Sequence, residues 1–169
     1  MNFKEQLADS SKKIGDLVVQ NVGCNPDYYN EILELVLHES MPMSSRAGRV
    51  LNVCTENYPY LFQPHVNDII VHLKKKKELH RCILKIFAEI PVQMNESEEG
   101  ILLNFCFDWL ADNSKSIATK AYCMDILAHF AEKEPEIIPE LLSLLYVIRS
   151  EGSAGLQNRA IKIIRKLRV

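Results

Sequence analysis

The sequence predicts an all-α protein, an α-α superhelix in which antiparallel helix pairs stack one on the next. Apolar residues recur at helical spacing along nearly the whole chain, and no segment alternates at period two for long enough to form a strand. A basic residue followed by a small one also recurs in four predicted helices, at intervals of 35, 39 and 39 residues, as Arg46-Ala47, Arg81-Cys82, Lys120-Ala121 and Arg159-Ala160. Intervals of about 40 residues are typical of stacked helical pairs. A compact helical bundle is the alternative, although a bundle gives no reason to repeat the pair.

Proline and capping residues mark the helix ends. Asn25 before Pro26 has the pattern of an N-cap and a first helical residue, and Asn95 with Glu98 has that of a capping box. In order, the predicted helices are one striped by Phe3, Leu7, Ile14, Leu17 and Val18, one from Pro26, one between Pro42 and Pro59, one from Pro64 to Lys77, and one that ends before Pro91. Four more follow: one from Asn95 to the turn Asp112-Asn113-Ser114, one from about Ser116 to Glu134, one from Pro135 to the break Glu151-Gly152-Ser153, and a last one with Ala160, Ile163, Ile164 and Leu167.

The helix from about Ser116 to Glu134 is apolar on more than one side. A helix of this kind must lie between layers, as the inner helices of stacked repeats do. Because the loops are short, we expect helices that are adjacent in sequence to be antiparallel neighbours.

The composition fits a single domain spanning residues 1–169. Apolar residues make up 47% of the chain and charged residues 25%, and the formal net charge is −2. That charge gives no global basic field to attract nucleic acid. No apolar run approaches the roughly 20 residues of a membrane span, and the N-terminus lacks the apolar core of a signal peptide. We therefore expect a cytoplasmic protein that does not bind membranes.

Cysteines and histidines show no metal or redox pattern. His65 and His72 lie seven residues apart on one predicted helix, a rise of about 10 Å that is too long for one metal ion. No phosphate-binding or dinucleotide-binding glycine motif occurs. We expect no cofactor, no metal and no catalytic residue. The cysteines form no C-x-x-C pair and mostly lie in apolar helical stretches, so we predict buried, reduced thiols at Cys24, Cys54, Cys82, Cys106 and Cys123.

Several segments resemble a known family. The runs Cys106-Phe107-Asp108-Trp109-Leu110 and Lys120-Ala121-Tyr122-Cys123-Met124, together with the ending from Arg159 to Leu167, are similar to a group of small bacterial proteins with HEAT-like repeats. The resemblance spans roughly residues 30–169. It implies an all-helical repeat fold and a bacterial cytoplasm. Some members of that group carry an adenylosuccinate lyase label.

One segment of the sequence partly matches a motif of the lyases. The run Ser40-Met41-Pro42-Met43-Ser44-Ser45 is similar to the Ser-x-x-Met-Pro-x-Lys-x-Asn loop of the fumarase/aspartase superfamily. However, Ser44 stands in the place of its lysine, and Arg46 in the place of its asparagine. The chain is also too short for the long bundle from which those enzymes build a site. We interpret the run as a turn between two helices and expect no enzyme.

A second pair of residues has the composition of a nucleobase-binding site. Some HEAT-like proteins are DNA glycosylases, which present aromatic residues and an aspartate in a basic groove. Asp108-Trp109 has this composition, but Trp109 continues the apolar stripe of Leu102 and Phe105. We therefore predict that Trp109 packs in the core.

Basic residues form a possible stripe along the predicted inner helices. Glu56 and Glu89 lie on the same helix faces and dilute the charge, so ordinary solubility is the other explanation. The same holds for the lysine run 74–77, which reads as a solvated helix end. The candidate partner-binding residues are Arg49, Arg81, Lys85, Lys120, Arg159 and Lys162.

These observations favour a non-enzymatic scaffold or adaptor that binds a protein or peptide on the concave face of the helical stack. Extended concave surfaces are what stacked repeats offer. An acidic segment is the ligand that suits the basic stripe. The alternative is a nucleic-acid-binding or DNA-repair-type protein that uses the same stripe, and for it we expect only weak binding to duplex DNA.

Overall fold

The computed structural model describes residues 2–168, which form ten α-helices and no strand within that range. The all-α prediction is confirmed. The chain divides into two compact units, unit 1 ending at Gln93 and unit 2 beginning at Met94.

Unit 1 consists of stacked helices around one central member. Its helices are α1 (Phe3–Gln6), α2 (Lys12–Val22), α3 (Pro26–His38), α4 (Met43–Asn57), α5 (Val66–Lys76) and α6 (Arg81–Glu89). Two 3-10 turns, Pro59–Leu61 and Gln63–His65, join α4 to α5. Helix α4 packs against α3 and contacts both α2 and α6. Helices α2, α4 and α6 therefore form one layer, with α3 beside it.

Unit 2 consists of two helical hairpins. Its helices are α7 (Glu96–Ala111), α8 (Ile117–Lys133), α9 (Ile138–Glu151) and α10 (Ala154–Leu167), with a 3-10 turn at Pro135–Ile137. Helix α7 packs against α8, and α9 packs against α10. Contacts of α7 with α9 and of α8 with α10 stack the two hairpins in register. Helix α8 therefore has packed neighbours on two sides, as its two-sided apolar pattern requires.

Both predicted helix caps are confirmed, but the predicted first helix is interrupted. Asn25 accepts hydrogen bonds from the backbone N–H groups of the first turn of α3, and Asn95 with Glu98 forms a reciprocal capping box at α7. The prediction of one continuous first helix was wrong, because α1 ends at Gln6 and α2 begins at Lys12. Ser11 caps α2, and Asp9 accepts a 2.7 Å hydrogen bond from the Ser11 N–H, a local turn that competes with a continuous helix.

The core of unit 1 contains a buried polar link between α3 and α4. The hydroxyl of the fully buried Tyr29 lies 2.6 Å from Thr55 Oγ1. Thr55 donates its own proton to the Leu51 carbonyl at 2.8 Å, so Tyr29 is the donor to Thr55. Burial raises the pKa of Tyr29, and this keeps the phenol protonated. Every member of the link is satisfied, as a buried polar group requires.

Four of the five cysteines are buried as predicted. Burial raises the pKa of Cys54 to about 11 and that of Cys82 to about 12, so neither is a reactive thiolate at neutral pH. Cys106 and Cys123 are fully buried in α7 and α8. The prediction was wrong for Cys24, which is exposed in the turn between α2 and α3.

Candidate functional site

The repeated basic-small pair joins neighbouring elements within each unit. In unit 1, Arg46 donates hydrogen bonds to the carbonyls of Leu7 and Ala8, at 2.9 and 2.6 Å, which fixes the loop before α2 to α4. In unit 2, Arg159 of α10 pairs with Asp125 of α8. The small residues that follow these arginines, Ala47 and Ala160, are fully buried. At these two repeats the pair is therefore a packing device.

Ion pairs link successive helices of a layer. In unit 1, Lys85 of α6 lies 2.9 Å from Glu56 of α4 and 3.6 Å from Glu89 of its own helix. In unit 2, Lys166 of α10 pairs with Glu132 of α8. Glu56 and Glu89, which share helix faces with the predicted basic stripe, thus neutralise Lys85 directly. Such surface pairs contribute little stability each, but they specify which residues of adjacent helices meet.

The six candidate residues fall into two groups. Lys85 and Arg159 are engaged in the ion pairs above, and Lys120 is 9% exposed with its Nζ 3.3 Å from Asn113 Oδ1. The other three are exposed and have no ion-pair or hydrogen-bond partner among residues 2–168: Arg49 on α4, Arg81 on α6 and Lys162 on α10.

Arg49 lies beside a small cleft between α2 and α4. The cleft has a volume of about 30 Å³, and Lys12, Arg46, Asp16 and Val53 also line it. A second notch of about 10 Å³ lies between α4 and α6 beside Lys85. Small-molecule sites usually enclose about 300–1,000 Å³. Both clefts are far smaller than such sites.

Comparison with known families decides the relationship of this chain. A model of the HEAT repeat domain matches residues 3–167. The chain belongs to the HEAT repeat family. The match extends over both units, and the stacked helices of each unit are those of HEAT repeats. No curated protein and no solved structure matches the chain.

Trp109 is part of the core of these HEAT repeats, as predicted. It is 7% exposed and contacts Phe105 edge to face, with ring centroids 5.9 Å apart. The ammonium group of Lys115 lies 4.8 Å from the Trp109 ring centroid, where a cation is attracted to the ring face. The ring is thus occupied by protein contacts.

The histidines lie in unit 1 except for His129, and two of them make a direct ring contact. The sequence predicted that His65 and His72 lie on one helix, but His65 lies in the 3-10 turn before α5. His38 and His72 contact each other with ring centroids 5.6 Å apart, and His38 Nε2 lies 3.2 Å from a Glu34 carboxylate oxygen. Among residues 2–168, no group of three or more His, Cys, Asp or Glu side chains is arranged to hold a metal ion. No helix within those residues is both long and apolar enough to cross a membrane.

Acid should destabilise unit 1 through three of its histidines. Burial is the main cause that lowers the pKa values of His65, His72 and His80 below their ordinary value of 6.5. His80 also accepts the Cys82 N–H through Nδ1, which requires the neutral ring. The unfolded chain therefore binds more protons than the folded chain around pH 6, so stability is fully present above about pH 6.5 and falls as the pH decreases below it.

Thermal unfolding followed by circular dichroism between about pH 7.5 and pH 5.5 should show a falling midpoint. A variant with His72→Asn should show a shallower dependence, because it lacks one of the titrating rings. A midpoint that is constant or rises towards acid would contradict this assignment.

Proposed function

We propose that the chain is a non-catalytic binding module that holds an acidic protein segment against the exposed basic residues of its helix layers. The observation that carries the proposal is the contrast among the cations of these layers. Lys85, Arg159 and Lys166 are neutralised by acids of the same protein, whereas Arg49 and Arg81 remain exposed without partners among the described residues. HEAT repeats typically mediate protein interactions.

Duplex DNA is a poorer fit to the same residues. Affinity for a phosphate backbone depends on several simultaneous lysine or arginine contacts and the counterions they release. Here the layers of each unit mix acids with bases, and the net charge of the chain is −2. A short segment with a few carboxylates needs only two or three of the exposed cations, and each charge-assisted contact is strong and directional.

The test is a titration of the full chain with a fluorescein-labelled octaglutamate peptide, followed by fluorescence anisotropy. We expect binding that weakens between about 50 and about 200 mM salt. The double variant Arg49→Glu/Arg81→Glu should bind more weakly than the wild type by about tenfold or more, with an unchanged thermal midpoint, because both side chains are exposed.

The control is Lys74→Glu/Lys75→Glu, which makes the same change of charge at exposed positions of α5. It should alter the affinity much less, since it lies outside the layer of α2, α4 and α6. An octaglutamine peptide should not bind. Equal losses in the two double variants, or tighter binding of duplex DNA than of octaglutamate, would refute the proposal.

A further inference from the structure

The last hairpin of unit 2 carries two arginines around one tyrosine. Tyr146 is half-buried on α9, and the guanidinium carbon of Arg149 lies 5.2 Å from its ring centroid. The guanidinium carbon of Arg168, directly after α10, lies 5.3 Å from the same centroid, and Arg168 donates a hydrogen bond to the Tyr146 hydroxyl. Both arginines are exposed. Tyr146, Arg149 and Arg168 are called the arginine cluster below.

Within the described part of unit 2, neither Arg149 nor Arg168 pairs with a carboxylate, whereas Arg159 and Lys166 on the same hairpin do. The sequence from residue 141 to residue 168 has Glu151 as its one acid. Its six bases are Arg149, Arg159, Lys162, Arg165, Lys166 and Arg168. Arg159 and Lys166 are paired with acids of α8, but the remaining four bases still outnumber Glu151. The local field around the cluster is therefore positive, despite the negative charge of the whole chain.

Contact with the ring prepares both guanidinium groups for a ligand. A guanidinium near an aromatic ring is attracted to its π-electrons and restricted in its motion. Arginine is also weakly hydrated, and its planar fork matches a carboxylate in a bidentate geometry. Less entropy and less hydration are then lost when an anion arrives.

The spacing of the two groups suits an extended acidic peptide. The two guanidinium carbons are no more than about 10.5 Å apart, the sum of their distances to the one centroid. An extended chain advances about 3.3–3.6 Å per residue, so acids no more than three residues apart can reach both arginines together.

We propose that the arginine cluster by itself anchors an acidic segment on unit 2, binding two Asp or Glu carboxylates no more than three residues apart. The class of partner rests on the proposed function. The anchor itself does not, because it lies on α9 and α10 and not on the helices of Arg49 and Arg81.

The test is the octaglutamate titration of the full chain with two charge-matched variants of this hairpin. Arg149→Glu alters the cluster, whereas Arg165→Glu makes the same charge change at an exposed position of α10 that has no aromatic contact. We expect Arg149→Glu to weaken binding by about tenfold or more, and Arg165→Glu by less than about threefold, because a single charge outside the contact is screened. The affinity of Arg149→Lys should lie between those of the wild type and Arg149→Glu, because lysine keeps the positive charge but lacks the planar guanidinium group.

The outcomes separate the two proposals. Loss of binding in Arg149→Glu but not in Arg165→Glu would support the cluster, whether or not Arg49→Glu/Arg81→Glu also binds more weakly. Binding retained in that double variant would overturn only the assignment of Arg49 and Arg81. Binding retained in Arg149→Glu with loss in Arg49→Glu/Arg81→Glu, or equal losses in Arg149→Glu and Arg165→Glu, would overturn the cluster and leave the proposed function standing. A wild-type chain that does not bind octaglutamate, or that binds duplex DNA more tightly, would refute both.

Discussion

Phe62→Ala should lower the free energy of unfolding by about 3–5 kcal/mol. Phe62 is fully buried between the two 3-10 turns that join α4 to α5, and it contacts Phe87 of α6 edge to face, with ring centroids 5.4 Å apart. The substitution removes the largest fully buried side chain of this junction and leaves a cavity that the helices on either side cannot easily close. It also removes a favourable aromatic pair.

Urea unfolding followed by circular dichroism would measure the change, with Tyr60→Ala as the matched control. Tyr60 belongs to the same connection, two residues earlier, but is 62% exposed. Its loss should change the free energy of unfolding by no more than about 0.5 kcal/mol. Comparable losses in the two variants would mean that Phe62 does not hold the junction together.

Most of the fold could be predicted because helix formation is encoded locally. Apolar spacing identifies the buried face of each helix, and Asn25 and Asn95 mark helix starts through bonds to residues two or three positions ahead. The break between α1 and α2 was missed because Leu7 and Ile14 continue the apolar stripe across it. The local signal was Asp9 and Ser11, whose side chains accept backbone hydrogen bonds and so compete with the helix.

The candidate site was harder to predict because its pairings depend on how whole helices stack. The sequence placed Arg159 among exposed basic residues, but it could not show that α10 lies against α8 with Asp125 in reach. The arginine cluster was missed for the same reason, since Tyr146 and Arg168 meet only when α9 and α10 fold back on each other. The scarcity of acids after residue 140 was the one sequence signal that could have drawn attention to it.

Gly48→Ala should destabilise the protein, although alanine is the better helix former by about 1 kcal/mol. Gly48 is buried in α4, where the helix approaches α6. A Cβ atom at this position would lie 3.0 Å from Cys82 Sγ and 3.1 Å from His80 Cε1. Atoms of this kind normally stay about 3.5–4.0 Å apart, so α6 would have to move away from α4. We expect a net loss of about 1–3 kcal/mol in the free energy of unfolding.

Gly100→Ala supplies the control, because Gly100 lies within α7 and a Cβ atom there would have no heavy atom within 4 Å apart from its chain neighbours and the backbone of its own helix. That variant should gain up to about 1 kcal/mol from helix propensity alone.

Adding Cys82→Ala to Gly48→Ala removes the nearest atom, so the double variant should lose less stability than the sum of the two single variants. If Gly48→Ala stabilised the chain as Gly100→Ala does, the close approach of α4 and α6 would not depend on a glycine. Simple additivity in the double variant would instead locate the clash at the two atoms that remain in place, His80 Cε1 at 3.1 Å and the Cβ atom of residue 82 at 3.2 Å.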